Sequence, residues 1–467
     1  MNNIIQLIMQ KVKDEIEESV IKILEGDTNL DKIVDSVGEL VNEIGVNTIS
    51  AIIEELNDII KNAPERKEKY HVHKSKAKRT LITRFGELEF ERTYYKNIKE
   101  NNYVHILDEL LGIEKYERVE ANLKGEILEK SSEYSYQKAA KLSTPVTITR
   151  ETVKKIIREN GRIDNLELEI KGKKKVDTIY IEADEDHVPL QNGKNKEVKL
   201  IYVYDDKIQI SKDRIQLENK RYFTGEMCPE DLWTEVATYL DKAYELDKVE
   251  NIFIAGDGAS WIKSGIEIIK GSKYVLDHFH LSKYIKILTA HLGSLEEPIY
   301  ITGPLWESLK CGKKKSALEL INFAIEETPF KTKRESMKKA KRYIINNWEG
   351  INNLFRDEKY KCSAEGHISH ILSARLSSRP MGWSLIGADE MSRMRTYKAN
   401  GGSIKDYYRK LRSERNTEER ITNLDKKIVN RAKSFYNTTN PDTMINLPLT
   451  SKTNGRWLKD MLKSSMF

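Results

Sequence analysis

Three cysteines in 467 residues, Cys228, Cys311 and Cys362, are too few and too widely spaced for a disulfide framework or a zinc ribbon. None forms a CxxC pair, so a reducing compartment is the expectation. Long apolar runs are missing too, and nothing approaches the ~20 residues of a membrane-spanning helix. The first residues, MNNIIQLIMQKVKDEIEESVIKIL, interleave charge with apolar side chains. They lack the basic start, clean apolar stretch and small-residue cleavage site of a secretory signal. A cytoplasmic protein with no membrane partner is expected. No GxxxxGK[ST] phosphate loop occurs, which leaves ATP-driven function without support. What is present is a globular composition, 39% hydrophobic and 33% charged. The net charge of +6 is too small to name a partner by itself, and its clustering says more.

Residues 1–65 form an expected N-terminal helical region. Ile4, Ile5, Ile8, Val12, Ile16, Val20 and Ile23 recur at spacings of three and four, and a second periodic stretch runs from Leu30 to Ile60. A helical hairpin packed on its own chain and a dimerisation arm fit this pattern equally. Residues 66–172 form an expected mainly helical DNA-binding region that opens on a hairpin. Thr80 to Phe85 leads to Gly86, after which Leu88, Phe90 and Tyr94 alternate with Glu89, Glu91 and Thr93. The region ends in a helix-turn-helix-like pair. Ser135 caps YQKAAKLS, a turn follows at Thr144, Thr149 caps Arg150 to Asn160, and Gly161 stops that helix. Val153, Ile156 and Ile157 give it an apolar face. Arg150, Lys154, Lys155 and Arg158 are then free to meet double-stranded DNA.

Residues 173–400 change to a telling order. Val176 to Ala183 is a strand ending at Asp184, Val198 to Tyr204 a second, and Gln216 to Phe223 a third. A helix from Glu230 to Leu246 follows, then a fourth strand ending at Asp257. A helix from Trp261 to Ile269 precedes a fifth strand ending at Asp277, and another helix begins near His280. That order is the one expected of an α/β ribonuclease H-like catalytic domain, in which the first and fourth strands are neighbours. Asp184 and Asp257 then meet at adjacent strand ends. Two such carboxylates repel unless cations bind, and Mg²⁺ (or Mn²⁺) suits a few carboxylates plus water and phosphate oxygens. Each Asp alone could equally cap a turn. Glu182 and Asp186 flank Asp184 on the same alternation face, and Asp184 is preferred because it ends the apolar run.

The stretches IEADEDHVPLQ, IFIAGDGASWIKSG, YVLDHFHLSKYI and SAEGHISHILSARLSSRPMGWS together are distinctive. Over residues 80 to 385 the chain resembles the bacterial ISLre-type insertion-sequence transposases, within the Mutator-like group of DDE enzymes. The resemblance implies metal-dependent cutting and joining of double-stranded DNA at the inverted ends of a mobile element, by a homodimer or higher homo-oligomer associated with the bacterial nucleoid. Asp184 and Asp257 correspond to the first two acids. Asp277 and His280 match the group's signature of an acid or cysteine, two residues, then histidine. A catalytic His280 and a helix-start histidine bonded to a carboxylate are both open. A large helical insertion, about 285–361, fits the basic runs KCGKKKS and FKTKRESMKKAKR, the chain after about residue 385 reads as polar and basic tail, and residues 401–467 form the expected basic C-terminal tail proper.

Glu365, in the first turn of an apolar-periodic run through Ile368, Ile371, Leu372 and Leu376, is the expected third carboxylate and metal ligand. Glu349 is the alternative. Arg375 and Arg379 on the same segment are expected to meet DNA phosphates. The rival functions are a structure-specific nuclease on the same fold and a non-catalytic DNA-binding regulator. A zinc site on His278, His280, His367 and His370 is disfavoured, because no cysteine is paired with them.

Overall fold

A computed structural model describes residues 2–211, 214–295, 298–356, 364–379 and 381–419. The chain forms two compact units. The first comprises Met1–Leu123 and Ser143–Thr147, with the described chain from Lys410. The second comprises Lys124–Leu142 and Ile148–Arg409. The hairpin and the capped helix pair, grouped on sequence as 66–172, therefore fall into different units.

The first unit opens with a long helical hairpin, α1 (Asn2–Leu24) and α2 (Leu30–Asn62), the latter capped by the Asn29 side chain. Ser36 of α2 donates to the Glu15 carboxylate of α1, which also accepts from Ser19 of its own helix, and Lys11 of α1 pairs with Glu43 of α2. Ile16, Val20 and Ile23 of α1 and Leu30, Val34, Val37 and Val41 of α2 stay exposed. Only the far end of α2 is buried. There Ile53 and Ile60 join Leu81, Leu88, Phe90 and Tyr95 of a β-hairpin in a small core. After α3 (Pro64–Lys69), β1 (Tyr70–Thr83) and β2 (Gly86–Asn97) pair antiparallel, and β3 (Tyr103–Val104) adds an edge. Strand β1 begins at Tyr70, ten residues before the Thr80 at which the sequence pattern starts the hairpin. Helix α4 (Ile106–Leu111) completes this core through Leu107.

The second unit begins within α5 (Ala121–Ser131) and continues through α6 (Tyr136–Lys141) and α7 (Arg150–Asn160). Ser135 and Thr149 cap α6 and α7, and the α7 cap residue at its C-terminus is Gly161. A five-stranded sheet then forms from β4 (Thr178–Pro189), β5 (Asn195–Tyr204), β8 (Arg221–Thr224), β9 (Asn251–Gly256) and β10 (Ser272–Leu276). Its spatial order is β10-β9-β4-β5-β8. Strands β4, β9 and β10 run parallel, while β5 is antiparallel to β4 and to β8. The single strand expected from Gln216 to Phe223 is in fact two. Asn219, at φ 52°, turns the chain between β7 (Arg214–Glu218) and β8. Strand β7 leaves the sheet to pair with β6 (Asp206–Ser211). Short polar β6, DKIQIS, carried no strand signal strong enough to separate it from a loop.

Helix α8 (Pro229–Ala243) buries Leu232, Trp233, Val236 and Leu240 on one face, against a core that includes Ile179, Ile181 and Ala183 of β4. Two short helices, α9 (Ser260–Lys263) and α10 (Gly265–Ile268), replace the one expected from Trp261. Gly265 lies hard against the Trp233 ring, where a Cβ would come within 2.6 Å. Helix α11 (His278–Thr289) follows β10. The insertion comprises α12 (Thr302–Lys310), α13 (Lys314–Glu327), α14 (Lys331–Asn346) and α15 (Trp348–Arg356). It extends the same core with Leu305, Ile321, Ala340, Ile344 and Ile351.

Next come α16 (Ala364–Ile368), a π-turn at Ser369–Ser373, and α17 (Ala374–Leu376). The residues beyond 385, expected to be polar tail, form α18 (Leu385–Ala399), which buries Met391, Met394, Glu390 and Arg393. Helix α19 (Ile404–Glu419) follows the turn at Gly401, and the Glu129 carboxylate accepts its Ile404 N–H at 2.7 Å. The remainder of the expected tail lies outside the described residues. Among the described residues no helix is long and apolar enough to cross a membrane.

Candidate active site

Strand register brings three acids level. The last β4–β9 rung pairs Glu182 with Ala255, so Asp184 and Asp257 each stand two residues further along adjacent parallel strands. The last β9–β10 rung pairs Gly256 with Leu276, and the Asp277 N–H donates to Gly256 O at 2.9 Å. Asp184, Asp257 and Asp277 thus occupy the same end of three neighbouring strands. Asp184 does not end its strand, contrary to expectation, because β4 runs on to Pro189 and pairs with β5 throughout.

The three acids on the shared face of β4 have separate partners. Glu182 is fully buried, and its oxygens accept from the Tyr202 and Tyr204 hydroxyls. Asp186 accepts from the Ser377 hydroxyl at 2.9 Å on both oxygens. Asp184 is left to the cluster. Burial pushes its carboxyl up to about 6, with the Glu185 N–H and His280 opposing and Asp257 and Asp277 reinforcing the rise. One oxygen of Asp184 accepts from Glu185 N, and one of Asp257 from Ala259 N. The other oxygen of each has no partner among the described residues.

Asp277 caps α11 by accepting Phe279 N–H at 3.0 Å, and its second oxygen bonds His280 Nδ1 at 2.8 Å. Burial works against ionisation of Asp277. The His280 ring and the backbone N–H groups outweigh it and hold the carboxyl below its ordinary value. That hydrogen bond raises the pKa of His280, aided by Asp257 and Asp184, while burial opposes the rise. The spacing of three within one helical turn makes the Asp277–His280 contact, and Nε2 is left without a described partner.

The insertion supports the strand ends from one side. The Tyr343 hydroxyl of α14 donates to the Asp257 carbonyl, and the Tyr343 ring stacks on Tyr284 with centroids 3.7 Å apart. Asn347 lies against Gly258, whose φ of +97° and lack of a Cβ permit the approach. Lys263, half-buried, donates to Asn346 O at 3.1 Å and lies near both Asp257 and Glu349. These three residues were not singled out on sequence. They sit in basic or polar runs with no local pattern of their own.

Glu349 is exposed on α15, next to Gly350, which packs against Tyr274. The Glu365 side chain lies outside the described residues, so its carboxyl is not located. Its helix α16 packs on β4, and His367 from the same helix stacks on Tyr202 at 4.4 Å and bonds the Tyr222 hydroxyl at 2.7 Å. Among the described residues no three acidic, histidine or cysteine side chains gather as a metal site. Asp277 is already committed to His280 and Phe279. Asp184 and Asp257 supply two hard oxygen donors with a spare oxygen each, a pair that fits Mg²⁺ or Mn²⁺.

The basic candidates separate. Arg150, Lys154 and Lys155 are exposed on α7, with Lys154 paired to Glu151 at 3.2 Å and Lys155 to Glu159 at 3.8 Å. Arg158 turns inward, donating to Ser384 Oγ at 2.6 Å and pairing with Glu390 at 3.5 Å. Arg379 is exposed. Arg375 is not the surface cation expected. It is 5% exposed, and its guanidinium lies over the Trp383 ring at 4.9 Å while Nε donates to Ser131 O at 3.3 Å. Its place on the buried face beside Leu372 and Leu376 explains the difference.

The family model that matches residues 23–413 is described as an uncharacterised protein family, UPF0236. The chain belongs to family UPF0236. A UPF0236 protein of Caldanaerobacter subterraneus subsp. tengcongensis is 41% identical over 387 residues, covering 82% of this chain and 81% of the relative. A second from the same organism is 40% identical over 396 residues, covering 84% of each chain. A UPF0236 protein of Streptococcus gallolyticus, named for the vanSb 3′ region, is 25% identical over 410 residues, covering 83% and 87%. The name of the first relative joins eleven designations.

Proposed function

We propose that this UPF0236 protein is a DNA transposase of the Mutator-like DDE type, with a ribonuclease H-like catalytic domain in its second unit. The level placement of Asp184, Asp257 and Asp277 at three adjacent strand ends, with His280 bonded to the third, carries the reading. The order of the five-stranded sheet, its own strands numbered along the chain, is 5-4-1-2-3 with the second strand reversed, which supports the fold assignment. A relative whose single name covers eleven designations is what repeated copies of one mobile coding region would produce.

In this reading Asp184, Asp257 and Glu365 hold Mg²⁺ or Mn²⁺, which supplies charge neutralisation and an activated oxygen for phosphodiester chemistry. Asp277 orients His280 and, through their hydrogen bond, shifts the ring toward its protonated form beside the acid pair. Tyr343 and Asn347 hold the turn after Asp257, fixing the direction of that carboxylate. Arg150, Lys154, Lys155 and Arg379 are solvent-facing cations suited to phosphate contact.

The test is cleavage and joining of DNA bearing the element's own ends. Both are expected only with Mg²⁺ or Mn²⁺. Asp257→Asn should reduce both by a factor of about 10²–10³, the range for losing one charge-stabilising group, with DNA binding retained. Undiminished cleavage by Asp257→Asn sinks the proposal. Cleavage without any joined product supports a nuclease instead.

A further inference from the structure

A cavity of about 490 Å³ lies in the second unit, and none of the strand-end acids lines it. Its walls include Arg150, Lys154 and Arg158 of α7, Tyr136, Arg375 and Trp383. Two of its four cations are neutralised within the chain, Lys154 by Glu151 and Arg158 by Glu390. The other two are not. Arg150 is exposed and has no partner among the described residues. Arg375 is 5% exposed and pairs with no carboxylate among the described residues, and the titratable groups that act on it are the neutral Tyr136 and the cations Arg395 and Arg379. Its hydrogen bonds go to Ser131 O and, weakly, to Met381 Sδ at 3.7 Å. Burial lowers its pKa only to about 10, so the guanidinium stays charged at neutral pH. A desolvated cation without a counter-charge is unfavourable unless an anion completes it. The start of α18, a 15-residue helix capped by Ser384, lines the same cavity and adds its positive dipole end.

We propose that this cavity seats one phosphate of a nucleic-acid backbone, with Arg375 at its floor and Arg150 at its rim. The choice of a nucleic acid as the source of that phosphate rests on the transposase reading, but the charge argument does not. The Arg375 guanidinium lies over the Trp383 ring at 4.9 Å and near the Tyr136 ring at 5.8 Å, and its planar fork of N–H donors suits phosphate oxygens. The seat is independent of base identity, so it positions the duplex and does not read its sequence.

The experiment uses the full chain and Arg150→Gln, with Lys141→Gln as the comparison. Both residues are exposed and both variants remove one positive charge, but only Arg150 lines the cavity. Binding of a labelled DNA duplex is followed against salt concentration. Arg150→Gln should weaken binding several-fold and shallow the slope of log K against log[salt] by about one unit, and Lys141→Gln should do neither. Equal effects from the two variants overturn the seat, since general charge then explains them. In a second arm, inorganic phosphate should raise the melting temperature of the wild type and not of Arg150→Gln. Equal protection of both by phosphate also overturns it. Phosphate protection through Arg150 in a protein that binds no duplex keeps the seat, assigns it to free phosphate and removes the DNA reading.

Discussion

At the scale of single residues, chemistry follows from which acid is left without an internal partner. Glu182, Asp184 and Asp186 alternate onto one face of β4. Tyrosine hydroxyls take the first and a serine hydroxyl the third, leaving the middle one to the cluster. The pattern of acids was legible in the sequence, but their partners were not, because Tyr202, Tyr204 and Ser377 come from other elements. The i to i+3 spacing of Asp277 and His280 is local, and that contact could be read directly. A histidine in the first unit shows the opposite polarity. His105 stacks against Tyr94 at 4.5 Å, with Nδ1 3.2 Å from Thr93 O. Burial, helped by Arg92, lowers its pKa to about 4, while the Thr93 carbonyl pulls the other way. The folded state therefore holds a neutral ring, and the unfolded chain takes up the proton first. Stability from this group is full above about pH 6.5 and lost as pH falls toward 4, by roughly 1–3 kcal/mol after allowance for partial exposure. Thermal melts at pH 7 and pH 4.5 should show the wild type losing more than His105→Gln. Equal losses in the two proteins exclude His105 as the source.

At the scale of elements, strand pairing sets the site, and one glycine sets how closely two strands approach. A Cβ on Gly256 would fall 2.7 Å from the Ala183 carbonyl and 2.6 Å from Ile262 Cδ1. The carbonyl belongs to β4, one residue before Asp184, and backbone cannot yield as a flexible side chain can. Gly256→Ala should destabilise the protein by about 1–3 kcal/mol and move Asp257 relative to Asp184. Denaturant unfolding would show the first effect. The second is expected as a loss of metal-dependent cleavage exceeding that of an equally destabilised variant remote from the strands. Unchanged stability would show that β9 has room the packing does not suggest. The elements themselves were largely legible, because apolar alternation and four-residue spacing survive in a core. What failed were the β6–β7 hairpin, where the alternation of Ile208 with Ile210 and of Ile215 with Leu217 is too short to mark two strands, and α18. Its buried Glu390, Arg393 and Thr396 make a packed helix look like polar tail. The third carboxylate, Glu365, was legible only through resemblance, and its side chain lies outside the described residues.

At the scale of the whole molecule, the helical hairpin at the start of the chain is the part that a single copy leaves unfinished. Residues 1–45 contain four lysines against ten acidic residues, a balance of −6 within a chain of net charge +6. Such an arm is repelled by a phosphate backbone, so a protein partner is the expected occupant. Leu30, Val34, Val37, Val41 and Ile44 follow spacings of four and three along α2, the seam of a coiled coil. Leu30 is 72% exposed and Val34 63%. Ser36–Glu15 and Lys11–Glu43 link the two helices of the arm, while Leu30, Val34, Val37 and Val41 stay exposed and leave this seam available. A second copy of the same chain offers an identical seam, and two-fold pairing buries both at once. The double variant Val34→Lys, Val41→Lys changes only exposed positions, so its fold should persist. Light scattering on the wild type should give a multiple of the 54.2 kDa chain mass, and on the double variant a single chain. A wild type at the mass of one chain, or a variant that keeps the multimer, would mean the arm is not the contact. On the transposase reading, joining needs two element ends held together, so the monomeric variant should bind one end normally and lose paired-end products.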